Sequence, residues 1–175
     1  MDMVHHLLAG FKSLYSERCN ADLEKARSIC GGAGYSSWSG MTEMCRNTTP
    51  IPTYEGENTV MMAQASRFVI KAFKKAQKGT KLAFPFEYLN QGEELLSGKT
   101  KIVNKDDFLN ADVLERALAV RSYYVMSRTI KAILASKQPE KIKDNEIFAQ
   151  AKKVMAQYHL EYLSFKIYQT CINEH

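Results

Sequence analysis

The sequence predicts an all-α fold, a helical bundle, on three observations. From Thr59 to Lys78, the residues Met61, Ala65, Phe68, Val69, Ala72, Phe73 and Ala76 recur at the period of a helix with one apolar face. Two longer stretches, 107–137 and 144–172, carry looser helical patterns and are joined by Ser136-Lys137-Gln138-Pro139, a helix–helix connection closed by proline. No alternation of apolar and polar residues is long enough for a strand, and no repeat or low-complexity segment interrupts the chain.

The elements follow in order. Residues 4–18 read as a helix with Leu7, Phe11, Leu14 and Tyr15 on one face. His5 and His6 lie near its start. Adjacent helical side chains diverge by roughly 100°, so the two make a poor chelating pair and read as surface or capping residues. A break is expected near Asn20. A second helix then turns Leu23, Ala26 and Ile29 inward until Gly31 and Gly32 stop it. Residues 31–52 read as an ordered loop with Trp38, Met41, Met44 and Ile51 as apolar anchors. Gly79 ends the 59–78 helix, whose Arg67, Lys71, Lys74 and Lys78 form a basic, solvated stripe.

Residues 80–105, punctuated by Pro85, Gly92 and Gly98, read as a linker. Beyond it the inward sets are Leu114, Leu118, Arg121 and Val125, then Ile147, Ala151, Val154, Met155, Tyr158, Tyr162, Phe165 and Tyr168. Two such helices make an antiparallel hairpin, which needs further helices or a partner to bury both faces. The expected organisation is therefore 1–79, a linker over 80–105, and an incomplete second helical unit over 106–175.

Composition narrows the function. With 175 residues, 45% of them hydrophobic and 25% charged, the chain can bury one good core. A net charge of +5 is too small to indicate nucleic acid. No apolar run has the length of a membrane span. The four cysteines form no C-x-x-C pair and the four histidines complete no zinc spacing, so no metal is expected and the thiols read as reduced and intracellular. No secretory signal is read at Met1-Asp2-Met3-Val4.

Two stretches carry candidate chemistry. Thr53-Tyr54-Glu55-Gly56-Glu57-Asn58-Thr59-Val60 sets a carboxylate beside a glycine just ahead of the strongest helix. Gly56 lets the backbone bend and a ligand come close. Pro52, Tyr54 and Val60 would make the surroundings partly apolar, raising a carboxyl pKa toward that of a general base. The same residues admit a second reading, in which Glu55 and Glu57 are helix-start acids stabilised by the dipole. The other stretch, Cys30-Gly31-Gly32-Ala33-Gly34-Tyr35, lacks the spacing and the preceding strand of a dinucleotide fingerprint, yet its glycines could still admit a cofactor. Cys30 reads as a small residue at a helix end rather than as a nucleophile.

Three blocks together resemble the acyl-CoA oxidases, flavoproteins that begin peroxisomal β-oxidation. They are Ala26-Arg27-Ser28-Ile29-Cys30-Gly31-Gly32-Ala33-Gly34-Tyr35, then Thr53 to Met62, then Gln64-Ala65-Ser66-Arg67-Phe68. The resemblance is dense over 5–79 and looser through Tyr88-Leu89-Asn90 and the later helices. Ala33 departs from the family's frequent histidine and Thr42 from its usual proline.

The resemblance implies a homodimeric FAD enzyme that oxidises acyl-CoA to trans-2-enoyl-CoA and passes the electrons to oxygen, forming hydrogen peroxide. It implies Glu55 as the catalytic base, with Tyr54 and Gly56 beside the substrate. It implies Glu57, Asn58 and Thr59 against the flavin, and Gly31 and Gly32 against the pyrophosphate of the neighbouring subunit's FAD. The family's N-terminal helical domain and β-domain lie outside these residues, so the fold is expected to be truncated at both ends and the isolated chain inactive. Peroxisomal location is implied by the resemblance alone, since Asn173-Glu174-His175 is not a peroxisomal tripeptide. The rival readings are a dehydrogenase of the same superfamily and a non-catalytic helical interaction module. No nucleic-acid or membrane partner is expected.

Overall fold

A computed structural model describes residues 2–98, 102–136 and 149–173. Among them there are helices and turns but no strand, as expected. In chain order the helices are α1 (Asp2–Ile29), α2 (Gly32–Tyr35), α3 (Met41–Thr48), α4 (Asn58–Gln77), α5 (Glu94–Ser97), α6 (Ala111–Ala135) and α7 (Ala149–Asn173). Short 3₁₀ turns cover Ser37–Ser39, Glu87–Gln91 and Lys105–Leu109. The chain forms two compact units, Met1–Ala65 and Ser66–His175, with the division inside α4.

In the first unit, α1 runs unbroken through Asn20, where a break was expected. One helical asparagine costs less than ~1 kcal/mol relative to alanine, too little to break a helix of this length. Side-chain pairs Asp22–Lys25 and Glu24–Arg27 brace the exposed side just beyond it. The buried stripe of α1 is His6, Ala9, Ser13, Leu14 and Ser16, whereas Leu7 and Phe11 are half-buried and Tyr15 is exposed. Small residues on that stripe let the first turns of α4 come close. Ser13 Oγ donates to the Asn58 carbonyl at 3.1 Å, and His5 Nε2 lies 2.7 Å from Gln64 Oε1. Rising numbers on α4 thus meet falling numbers on α1, an antiparallel pairing.

His6 is buried, contrary to the surface reading, because helical periodicity places it on the stripe of Ala9 and Ser13.

Residues 31–52 are ordered, but largely by polar contacts rather than by the expected apolar anchors. Trp38 is 99% exposed and Met44 is also exposed, while Met41 and Ile51 are half-buried. Thr42 Oγ1 donates to the Gly34 and Tyr35 carbonyls at 3.3 and 3.1 Å. Gly34 packs so tightly that a Cβ there would fall 2.0 Å from the Arg27 carbonyl oxygen.

In the second unit, α6 and α7 are antiparallel, as the hairpin reading expects. Lys166 Nζ meets Glu115 at 2.7 Å, and Arg121 pairs with Glu161 farther along, its guanidinium 4.3 Å from the Tyr158 ring centre. The buried face of α6 is Ala119, Ser122, Tyr123, Met126 and Ile130, and the expected set of Leu114, Leu118, Arg121 and Val125 is only half-buried. On α7, Met155 and Tyr162 are buried as expected and Tyr168 is exposed. Ile147 and the connection Lys137-Gln138-Pro139 lie outside the described residues.

The segment expected as a linker is part of this core over its described residues up to 98. Phe86, Tyr88, Leu89 and Leu95 are buried. The Asn90 carboxamide bonds Leu82 both ways, accepting from its N–H at 2.8 Å and donating to its carbonyl at 2.7 Å. The Tyr88 hydroxyl lies 3.0 Å from Ser122 Oγ and 2.9 Å from His159 Nδ1, and the Phe86 ring stacks on the His159 ring at 4.5 Å. Proline and glycine made the stretch read as punctuation, while its aromatics cover the hairpin. Tyr88→Phe leaves two buried partners without that hydroxyl and is expected to cost about 1–3 kcal/mol by urea denaturation.

Burial pulls the His6 imidazole from 6.5 down to about 4, and a hydrogen bond to the Ala65 backbone offsets part of this. The unfolded chain therefore binds the proton more tightly than the folded one. The stability tied to the neutral ring is complete above about pH 6.5 and is lost as pH falls toward 4, on the order of 3 kcal/mol in all. In urea titrations at pH 7 and pH 4.5, His6→Gln is expected to show a shallower loss of stability than the parent chain.

Candidate active site

The stretch from Pro50 to Asn58 is a tight, closed turn. Thr53 N–H donates to the Pro50 carbonyl at 2.9 Å, and Asn58 N–H reaches back to the Pro52 carbonyl at 2.9 Å. Closing it takes two successive left-handed residues, Glu55 at φ 57° and Gly56 at φ 101°. Among the described residues, Glu55 is the one non-glycine residue with positive φ. An L-residue in this region costs about 1–2 kcal/mol, so the surrounding contacts must hold it there.

Those contacts come from α1. Lys12 Nζ donates to the Gly56 carbonyl at 2.6 Å and to Asn58 Oδ1 at 3.0 Å. The other half of the Asn58 carboxamide donates to the Ser13 carbonyl at 3.2 Å and to Ser16 Oγ at 2.8 Å. Asn58 is 2% exposed. Its side chain is spent on α1.

The two acids of the turn differ in their bonding. Glu57 is the helix-start acid. Its Oε2 accepts from the Val60 N–H at 3.1 Å and its Oε1 from the Thr59 hydroxyl at 2.9 Å. The Thr59 backbone N–H, then the Thr59 hydroxyl, hold its carboxyl below the usual carboxylate range. Glu55 has no hydrogen-bond or ion-pair partner among the described residues, and its carboxylate is exposed. The expected apolar surroundings are not found, since Tyr54 and Val60 are exposed as well.

Of the residues expected to touch a cofactor, Glu57, Asn58 and Thr59 thus have their side-chain polar atoms engaged within the chain. Gly31 and Gly32 are different. They follow the last turn of α1, Gly31 at φ 56°, and a Cβ added to either would meet nothing within 4 Å. Their faces are open to a close approach. They do not share a site with Glu55 inside this unit. The turn is tied to α1 at Lys12, and Ile29 lies 17 residues farther along the helix, about 25 Å away.

Lys12, Ser13 and Ser16 were not legible as site residues. They stand more than 40 residues from the turn they hold, and no spacing rule links them. Among the described residues no cluster of His, Cys, Asp or Glu could hold a metal. Chemically, then, the turn offers one uncommitted carboxylate at a fixed, strained backbone position.

Comparison with known proteins puts this turn in context. Residues 1–70 match the family model described as the acyl-CoA oxidase C-alpha1 domain. These 70 residues belong to the acyl-CoA oxidase family, and the chain is similar to acyl-CoA oxidases along most of its length. It is 42% identical to peroxisomal acyl-coenzyme A oxidase 1 of Homo sapiens over 87 residues, half of this chain and 13% of that protein. It is 30% identical to the Phascolarctos cinereus protein of the same name over 174 residues, 94% of this chain and 26% of that one. The solved structure of Arabidopsis thaliana acyl-CoA oxidase 1 matches 96% of the chain with a TM-score of 0.86 at 26% identity, over 26% of its own length. A structure of acyl-CoA oxidase-2 from Caenorhabditis elegans, bound with FAD, ascaroside-CoA and ATP, matches 93% of the chain and 24% of its own at a TM-score of 0.73 and 24% identity. The chain therefore spans about a quarter or less of the relatives it matches.

The oxidase turn makes a sharp prediction about stability. Gly56→Ala would place a Cβ 1.9 Å from Met61 Cε at a φ that L-residues avoid, and is expected to cost about 1–2 kcal/mol. Glu55→Gly removes a comparable strain next door and is expected to leave stability unchanged or to raise it by up to about 1 kcal/mol. Equilibrium urea unfolding of the two variants checks the contrast.

Proposed function

We propose that this chain supplies the catalytic base of an acyl-CoA oxidase. The reaction is oxidation of an acyl-CoA thioester to its trans-2-enoyl-CoA, with oxygen reduced to hydrogen peroxide. The observation carrying this reading is Glu55 itself, an uncommitted carboxylate on a strained turn locked to α1. A thioester α-proton is weakly acidic, so its base must be held at a fixed place against the substrate carbons. Glu55 takes that proton. Tyr54 and Gly56 flank it and lie along the acyl chain. Glu57 stays ionised at the helix start and keeps the turn in register. FAD, when bound, supplies the acceptor for the β-hydrogen. Gly31 and Gly32, at the far end of α1, fit the pyrophosphate of a neighbouring subunit's FAD in a homodimer. The names of the relatives support a peroxisomal setting. Because Glu55 and Tyr54 are exposed, residues outside this chain must enclose them before the carboxylate works as a base, and the isolated chain is inactive.

The test is a chimaera of the Arabidopsis enzyme in which this chain replaces the segment it matches. With palmitoyl-CoA it is expected to form peroxide, and Glu55→Gln is expected to lower kcat by roughly 1,000-fold or more with flavin content unchanged. Turnover within tenfold of the parent chimaera would reject Glu55 as the base. The 175-residue chain with added FAD is expected to form no peroxide.

A further inference from the structure

We infer that Lys12 is a positioning residue for the base, an inference that rests on the proposed role of Glu55. Lys12 sits on α1, 44 residues before Gly56, and is half-buried. Its ammonium group has three donors. One is spent on the carbonyl of Gly56 at 2.6 Å, and a second on Asn58 Oδ1 at 3.0 Å. The Gly56 carbonyl belongs to the peptide unit that follows the two left-handed residues. Glycine is the residue least able to fix its own backbone, so Gly56 alone would let that peptide rotate. Rotation there would let Glu55 relax to negative φ, carrying its carboxylate away. Lys12 prevents this by holding the carbonyl from outside the turn.

Asn58 fixes the end of the turn against α1, and the Pro50 and Pro52 carbonyls fix its start. Among the described residues, Lys12 makes the one hydrogen bond from α1 to a residue adjoining Glu55. Its charge also acts on Glu57, helping to keep that carboxyl ionised at the helix start. The pairing therefore does two things. It pins the peptide next to the base, and it places a cation beside the acid that caps α4.

The role predicts a signature that plain stabilisation does not share. A base displaced by about 1 Å can cost on the order of 100-fold in rate without weakening substrate binding. In the chimaeric oxidase, K12M is expected to lower kcat 10- to 100-fold while KM for palmitoyl-CoA and flavin content change less than twofold. K12R keeps a donor in reach of the Gly56 carbonyl and is expected to recover at least half of that loss on a logarithmic scale. In the 175-residue chain, the φ of Glu55 read by NMR is expected to be positive in the parent and in K12R, and to become negative or averaged in K12M. A positive, unaveraged φ in K12M overturns the inference, as does a K12M kcat within twofold of the parent. If K12M does not fold, K12R decides alone: a Glu55 φ that is no longer positive, or a kcat reduced as far as 100-fold, counts against the inference. The NMR arm makes no use of catalysis. If Glu55→Gln leaves turnover intact while K12M still shifts Glu55, it is the assignment of the base that has failed and not the clamp.

Discussion

The buried carboxamide of Asn58 is where the first unit depends on a single group. It uses both ends at once, donating to the Ser13 carbonyl and Ser16 Oγ and accepting from Lys12. Its backbone N–H closes the Pro52 turn and its carbonyl accepts from Ser13 Oγ. One residue therefore starts α4, ends the turn and joins both to the middle of α1. A buried amide left without these partners would cost about 1–3 kcal/mol for each unsatisfied group, so the arrangement holds together or is lost together.

That joint explains how the turn sustains a residue in an unfavourable conformation. Glu55 bears the left-handed strain, Glu57 performs the local stabilising work of a helix-start acid, and Asn58 and Lys12 hold the frame. Strain, capping and anchoring fall to different residues, which leaves the Glu55 carboxylate unengaged among the described residues. The open faces of Gly31 and Gly32 lie at the far end of α1, about 25 Å from the turn.

Much of this was legible in the sequence, for physical reasons. The α4 helix announced itself because one helical period runs from Met61 to Ala76; Ala65, Val69, Ala72 and Phe73 of that set are buried, with Met62 and Ser66 beside them, while Met61, Phe68 and Ala76 are half-buried. The Tyr54-Glu55-Gly56 turn was legible because Pro50 and Pro52 restrict the backbone ahead of it and Gly56 leaves it free to bend. The stripe of α1 was harder to see. It is built from His6, Ser13 and Ser16, and hydropathy scores such residues as solvent-facing although their partners are 42 to 59 positions away. Residues 82–98 look like a linker in sequence for a related reason. Their turns are real, but Phe86, Tyr88 and Leu95 point into a core completed by α6 and α7 and by α4, whose Phe68 ring lies 5.7 Å from that of Phe86. The apolar surroundings expected at Glu55 could not come from local sequence, because exposure is a property of what the whole protein places there.

The most direct measurement of the anchored turn is native-state hydrogen exchange, followed at the Asn58 amide in the parent chain and in Asn58→Ala. If the joint is as described, the Asn58 amide, bonded to the Pro52 carbonyl, exchanges as slowly in the parent as the interior of α1. In Asn58→Ala that protection is lost while the α6–α7 pair keeps its own. A parent amide that exchanges at the rate of an open loop would contradict the anchored turn and, with it, the fixed placement of Glu55.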